Sequence, residues 1–238
     1  MQSLLQQIYP PRCLGCDTLV TTDFGLCGAC WRETGFLTGL VCDKCGAPLP
    51  GEEAGEPVFC DDCLTLARPW ARGRAAFAYG GTGRKLVLAL KHADRQDIAR
   101  PAAGWLLRAA GPILVPEMLV APVPLHRLRL LKRRYNQSAL ISAAFARLAG
   151  LDHCPDLLQR LRHTGSQDGR DRDGRFANLT GAIRAHPGRA TRLWNRPILL
   201  VDDVMTSGAT FAAAAEACLA AGAASVSTLA LARVAKQP

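Results

Sequence analysis

Aromatic residues make up only 6% of this 238-residue chain, and methionine occurs three times. Nowhere does an apolar run approach the ~20 residues that a helix needs to cross a bilayer. The first ten residues, MQSLLQQIYP, lack the basic start and long apolar segment of a secretory leader. These absences predict a cytoplasmic protein without membrane insertion. Scarce aromatics also argue against a stacking groove for single-stranded nucleic acid, which uses several rings. Tyr135 and Phe176 interleave with basic residues, but such positions are few. A phosphate loop is missing too. The stretch GGTGRK at 80–85 fits neither G-x-x-x-x-G-K-[ST] nor G-x-G-x-x-G, and reads as a turn and helix start.

Basic residues are scarce in one part and acidic residues in the other. Residues 1–68 carry 4 Lys/Arg against 9 Asp/Glu, whereas 69–238 carry 25 against 11, giving −5 and +14 within a total of +9. Such asymmetry predicts two modules, 1–68 and 69–238, with different partners. The basic module should attract a phosphate-rich ligand.

Eight of the ten cysteines lie between Cys13 and Cys63, in four C-x-x-C pairs: Cys13/Cys16, Cys27/Cys30, Cys42/Cys45 and Cys60/Cys63. Two such knuckles complete a tetrahedral site of four thiolates. Sequential pairing, favoured by intervening gaps of 10 and 14 residues, gives two structural Zn²⁺ sites. Spacing alone leaves a crossed pairing open. Disulfides do not suit a cytosolic chain, and four repeated pairs without a βαβ context do not suit redox motifs. With every coordination position taken by sulfur, neither metal would have an open place for substrate. Cys154 and Cys218 stand alone and read as core residues.

From about residue 69 the pattern becomes periodic. Strands are expected at 74–79, 118–125, 197–203 and 225–232, and helices at 82–93, 98–110, 136–149 and 210–221. The stretch 136–149 has apolar residues at 140, 141, 144, 145 and 148, with Gly150 as its C-cap. Polar residues 163–178 show no periodicity and read as a mobile loop. Alternating strands and helices with continuously apolar strands predict an α/β fold, a mainly parallel sheet covered by helices.

Ligands of such sheets bind at the carboxyl ends of strands. There the sequence places VDDVMTSGAT, at 201–210. Asp202 and Asp203, expected where the strand emerges, suit vicinal hydroxyls, because carboxylates accept strong hydrogen bonds. Thr206, Ser207, Gly208, Ala209 and Thr210 then run into a helix N-terminus, whose free amides and hydroxyls suit a phosphate dianion. Simple helix capping by Asp203 and Thr206 would explain only part of this pattern.

ILLVDDVMTSGAT resembles the 5-phosphoribosyl-1-pyrophosphate (PRPP) loop of type I phosphoribosyltransferases. Together with the four cysteine pairs, YGGTGRKLVLALKH, PVPLHRLRLLKRRYNQS and SQDGRDRDGRFAN make nearly the whole chain resemble the ComF family, associated with DNA uptake in natural competence. The resemblance implies a type I phosphoribosyltransferase fold behind a double zinc ribbon. It implies that Asp202 and Asp203 bind ribose hydroxyls and that Thr206 through Thr210 hold the 5′-phosphate. Val123, Pro124, Leu125 and His126 would form the pyrophosphate loop, backed by the basic run 127–134. Gln167, Arg170, Arg175 and Asn178 would belong to a loop closing over pyrophosphate, although its spacing is shorter than in glutamine amidophosphoribosyltransferases.

PRPP, or another ribose 5-phosphate ligand, is expected with Mg²⁺. Pyrophosphate would leave C1 through an oxocarbenium-like transition state, with the protein positioning sugar and leaving group. The acceptor has no readable code in 69–117. Neither an N-terminal nucleophile nor a glutamine-hydrolysing domain is visible. Two other readings remain open at this point: a PRPP or nucleotide sensor docking DNA-uptake proteins through its ribbon, and a single-stranded DNA binder.

Overall fold

The computed structural model describes residues 9–52, 55–92, 95–126, 130–131, 133–162, 179 and 181–234. Two short helices, α1 (Gly28–Thr34) and α2 (Asp61–Thr65), belong to the cysteine-rich region. The remainder runs β1 (Arg72–Ala78), α3 (Gly81–His92), α4 (Ala99–Ala110), β2 (Leu119–Pro122), α5 (Gln137–Ala149) and β3 (Asp152–His153). It continues through β4 (Leu158–Arg160), β5 (Ile183–Ala185), α6 (Ala190–Leu193), β6 (Pro197–Met205), α7 (Ala209–Ala220) and β7 (Ser225–Arg233).

Five strands form one sheet in the order β1-β7-β6-β2-β3, and every adjacent pair is parallel. A separate antiparallel pair joins β4 to β5. The central strands are apolar on both faces because both faces are covered. Leu199, Val201, Leu229 and Leu231 pack with α3, α4 and α5, in a core that includes Leu86, Leu106, Ile141 and Phe145. Ile198, Leu200 and Ala230 face Phe211 and Ala214 of α7 on the other side.

That division locates the cleft. Helix α5 leaves β2 on one face and α7 leaves β6 on the other. The carboxyl ends of the neighbouring strands β2 and β6 therefore form a topological switch point, where open α/β sheets bind ligands.

The cysteine-rich region packs into both cores: Cys42, Cys45 and Ala47 into one, Leu14 into the other. It also lines the outer edge of β1. Leu37 N–H donates to Ala76 O at 3.0 Å, Ala78 N–H to Gly35 O at 3.0 Å and Gly73 N–H to Asp43 O at 2.9 Å. The backbones come so close that a Cβ on Gly73 would strike Lys44 O, and one on Gly46 would lie 2.7 Å from Ala75 N. Arg72 and Arg74 both bond the Asp43 carboxylate. Partial burial would raise its pKa, but these two guanidinium groups outweigh that and hold it low.

Most expected boundaries hold to within a few residues, including the left-handed Gly150 at the end of α5. Two expectations need correction. Strand β6 does not end at 203; it runs to Met205, still paired with Arg233 of β7. The buried face of α5 includes Gln137, Ser138 and Ser142 beside Ile141 and Phe145, while Leu148 is exposed. Its inner face carries polar groups because it opposes polar groups.

Candidate functional site

Asp202 and Asp203 sit at the switch point. They lie beyond the last β2 pairing, Pro122 with Val201, while β7 still pairs alongside. Only one side of the strand has emerged. Asp203 shares the face of Leu199 and Val201, and Asp202 that of Ile198 and Leu200, yet the first turn of α5 meets both. Ser138 Oγ donates to Asp202 Oδ1 at 2.6 Å, and Gln137 Nε2 donates to Asp203 Oδ2 at 3.0 Å. Lys91, in the last turn of α3, places Nζ 3.1 Å from the same Asp203 oxygen. Loss of solvent, then the neighbouring Asp203 charge, pushes the Asp202 pKa up to about 7.

After Met205 the chain turns through exposed Thr206 and half-buried Ser207 to Gly208, whose φ of 83° is left-handed. Ala209 then opens α7, and Thr210 follows within its first turn. Two buried arginines hold the outer side of this turn. Arg233 Nη1 donates to Thr206 O at 2.7 Å and Met205 O at 3.2 Å, and Arg68 Nη1 donates to Ser207 O at 2.7 Å. Gly208 is required on both counts: a Cβ there would lie 2.9 Å from Arg68 Nη1 and 3.0 Å from Trp70, in a conformation L-residues avoid.

Across the cleft, Val123 N–H donates to Val201 O at 2.9 Å, so 123–126 continues directly from β2 beside β6. Asn136 fixes this segment to α5. Its Oδ1 accepts from Ser138 N and its Nδ2 donates to Val123 O at 3.2 Å. Val123 and Pro124 are buried, whereas Leu125 and His126 are half-exposed. Gln167, Arg170, Arg175 and Asn178 lie outside the described residues, as do 127–129 and Lys132 of the basic run.

Lys91, Gln137, Ser138, Arg68 and Arg233 were not singled out by sequence reasoning. Lys91 left a signal. It falls four residues after Val87, on the buried stripe of α3, where a lysine requires an anion. Arg233 left another, closing β7 directly after the apolar run 229–232.

The eight knuckle cysteines form two groups, Cys13/Cys16/Cys27/Cys30 and Cys42/Cys45/Cys60/Cys63, with the sulfurs of each within 4.8 Å of one another. This is the sequential arrangement. The sulfur separations of 3.7 Å for Cys16–Cys27 and 3.6 Å for Cys45–Cys60 are near the about 3.8 Å edge of a ZnS₄ tetrahedron with ~2.3 Å bonds. Amides of Gly15 and Cys27 point at Cys13 Sγ, at 3.4 and 3.2 Å, as they would toward thiolate. Hydrogen bonds with Cys42 and Cys63 drive the Cys45 thiol far down, while bonds with Cys42 and Cys45 drive Cys63 far up. Four thiols this close cannot all ionise alone, and a divalent cation permits it. Both sets fit structural zinc, which would cross-link the segment without offering a reactive position. Cys154 and Cys218 are buried in the core.

Such a sheet, with an acidic pair and a Thr-Ser-Gly turn at its switch point, defines a type I phosphoribosyltransferase fold, here fronted by two four-cysteine sites. The double zinc ribbon domain family matches residues 4–64. DNA utilization protein YhgH of Salmonella typhi is 31% identical over 90% of this chain and 93% of its own length. The protein of that name from Escherichia coli K12 is 30% identical over 88% and 91%, and competence protein F of Haemophilus influenzae 27% over 84% and 86%. The chain belongs to the ComF family. Among solved structures, a glutamine PRPP amidotransferase from B. subtilis matches 60% of this chain at 19% identity and a TM-score of 0.40; the chain spans 30% of that protein's length. No helix among the described residues is long and apolar enough to cross a membrane.

Proposed function

We propose that residues 69–238 form a PRPP-binding phosphoribosyltransferase domain, that residues 1–68 form its zinc ribbon, and that the protein acts in the cytoplasm in DNA uptake or utilisation. The link to DNA rests on the names of its relatives, DNA utilization protein and competence protein F. One observation carries the ligand reading: β6 delivers Asp202 and Asp203 to the switch point and the next turn enters the N-terminus of α7. Carboxylates there can accept from the 2′- and 3′-hydroxyls of the ribose. The turn can take the 5′-phosphate on its amides and on the hydroxyls of Thr206, Ser207 and Thr210.

PRPP would bind as its Mg²⁺ complex, with pyrophosphate near Val123, Pro124, Leu125 and His126. Gln137 and Ser138 orient the two carboxylates through direct hydrogen bonds. Lys91 balances the charge of Asp203 before ligand arrives. Turnover would release pyrophosphate from C1, the residues around the sugar supplying position and charge rather than covalent chemistry. Gln167, Arg170, Arg175 and Asn178 remain the proposed closing residues.

Replacing Asp202 and Asp203 together by Asn keeps shape and removes charge. Charge-assisted hydrogen bonds contribute roughly 1.5–3 kcal/mol each, so PRPP affinity should fall about tenfold or more. Titration calorimetry with PRPP and Mg²⁺ on wild type and variant checks this. Saturable binding unchanged in the variant would put the site elsewhere. Pyrophosphate release with candidate bases then separates an enzyme from a PRPP sensor.

A further inference from the structure

Arg233 is 3% exposed, and among the described residues no carboxylate pairs with it. A buried guanidinium without a counter-charge is costly. Its Nη2 instead reaches Cys45 Sγ at 3.6 Å. Its Nη1 bonds the carbonyls of Met205, Thr206 and Val234. One side chain thus spans from the second four-cysteine cluster to the turn after β6. A second route runs parallel. Lys44, inside the Cys42/Cys45 knuckle, accepts the Trp70 indole N–H on its carbonyl at 2.5 Å. The Arg68 guanidinium lies over the Trp70 ring, 5.3 Å from its centroid, and bonds Ser207 O.

What these arginines hold matters because peptide units are planar and trans. Fixing Thr206 O fixes the opposed N–H of Ser207, and fixing Ser207 O fixes that of Gly208. Those amides belong to the turn read above as the phosphate cradle. Four thiolates around Zn²⁺ carry a formal charge of about −2, the counter-charge that a buried Arg233 needs. Without the metal the cluster cannot hold all four thiolates, so part of that charge goes and the guanidinium has less reason to stay.

We propose that the Cys42/Cys45/Cys60/Cys63 cluster positions the phosphate turn through Arg233, with Arg68 as second support, so that zinc there and a phosphoribosyl ligand strengthen each other's binding. The Cys13/Cys16/Cys27/Cys30 cluster has no such link among the described residues. This inference rests on the reading of 206–210 as a phosphate site.

Coupling between sites is reciprocal, so the full-length zinc-loaded protein can report it without any change of sequence. Zinc transfer to a chromogenic chelator is followed with and without saturating PRPP and Mg²⁺. The Cys16→Ser variant identifies the phase belonging to the first cluster. PRPP is expected to slow release from the second cluster about fivefold or more and to leave the first unchanged. Equal slowing of both, or of neither, would overturn the coupling. Arg233→Lys keeps a charge but cannot span sulfur and carbonyls together. It should retain two zinc ions and lose the ligand effect; a preserved effect would remove Arg233 from the link. Should calorimetry find no PRPP binding to wild type, the phosphate reading fails instead. The strut is then judged from ligand-free Arg233→Lys: faster release from the second cluster supports it, and a rate equal to wild type overturns it.

Discussion

The two four-cysteine clusters have the same ligands and the same knuckle spacing, yet differ in what surrounds them. In the first, Cys13 and Cys30 are buried, Cys16 exposed and Cys27 half-exposed, and the bonds to sulfur come from Gly15, Cys27, Cys30 and Thr18 of the same segment and from Thr82 of α3. In the second, Cys42 and Cys45 are fully buried in a core shared with the sheet, and Arg233 arrives from the last strand. Ligand chemistry alone therefore does not decide what a structural metal does. The first cluster meets its neighbour through Leu14 and Thr82 of α3, whereas the second has two cysteines inside the sheet's core and an arginine from its last strand.

The largest expected difference is in stability. Cys42→Ser should lower the melting temperature by about 10 °C or more, because a lost structural metal removes several kcal/mol and each is worth roughly 2–4 °C at this size. Cys16→Ser should cost only a few degrees on the same scale. Circular dichroism melts of the two variants would test this, and equal losses would erase the distinction.

A second prediction concerns the acidic pair, in the cleft rather than in either cluster. The Asp202 pKa, raised to about 7, means that the free protein holds this carboxyl protonated below neutrality. Ribose hydroxyls prefer the carboxylate, so PRPP affinity should rise as pH passes from 6 to 8, by up to about tenfold for one group titrating midway. Asp202→Asn should lose that component and keep only the ligand's own titration. Calorimetry at several pH values on both proteins gives the difference, and identical profiles would refute the assignment.

The smallest effects come from glycines, one near each end of the comparison. Gly208→Ala places a Cβ against Arg68 at φ 83° and should cost about 1–2 kcal/mol. Gly28→Ala, in the first cluster's α1, meets nothing within 4 Å and should change stability by about 0.5 kcal/mol or less. Denaturant unfolding of the two variants would show whether the turn is as tightly held as its two arginines imply.

Much of this was legible in the sequence. The α/β class followed from apolar strands alternating with helices, and the zinc ribbon from the repeated pairs. Both are local signals. Less legible was whatever depends on distant packing. The spacing of cysteines left their pairing open until folding brought the sulfurs together. Periodicity picked Leu140 and Leu148 for the buried face of α5, because a helix pattern cannot show that Asp202 and Asp203 await its first turn. Arg68 and Arg233 lie far apart in the chain and look unremarkable until both point at one turn. The opposite net charges of 1–68 and 69–238 suggested different partners, and say nothing of how intimately the two segments pack.

The hydrogen bonds from residues 35–43 along β1 have a practical consequence. Strand β1 is the sheet's terminal strand, and its free side is sheathed by Gly35, Leu37 and Asp43. Cutting away the N-terminal segment to obtain the rest alone would bare a row of unpaired amides and carbonyls beside Phe77 and Trp105. An uncovered edge of that kind recruits other strands, so the shortened protein should self-associate more readily than the whole one.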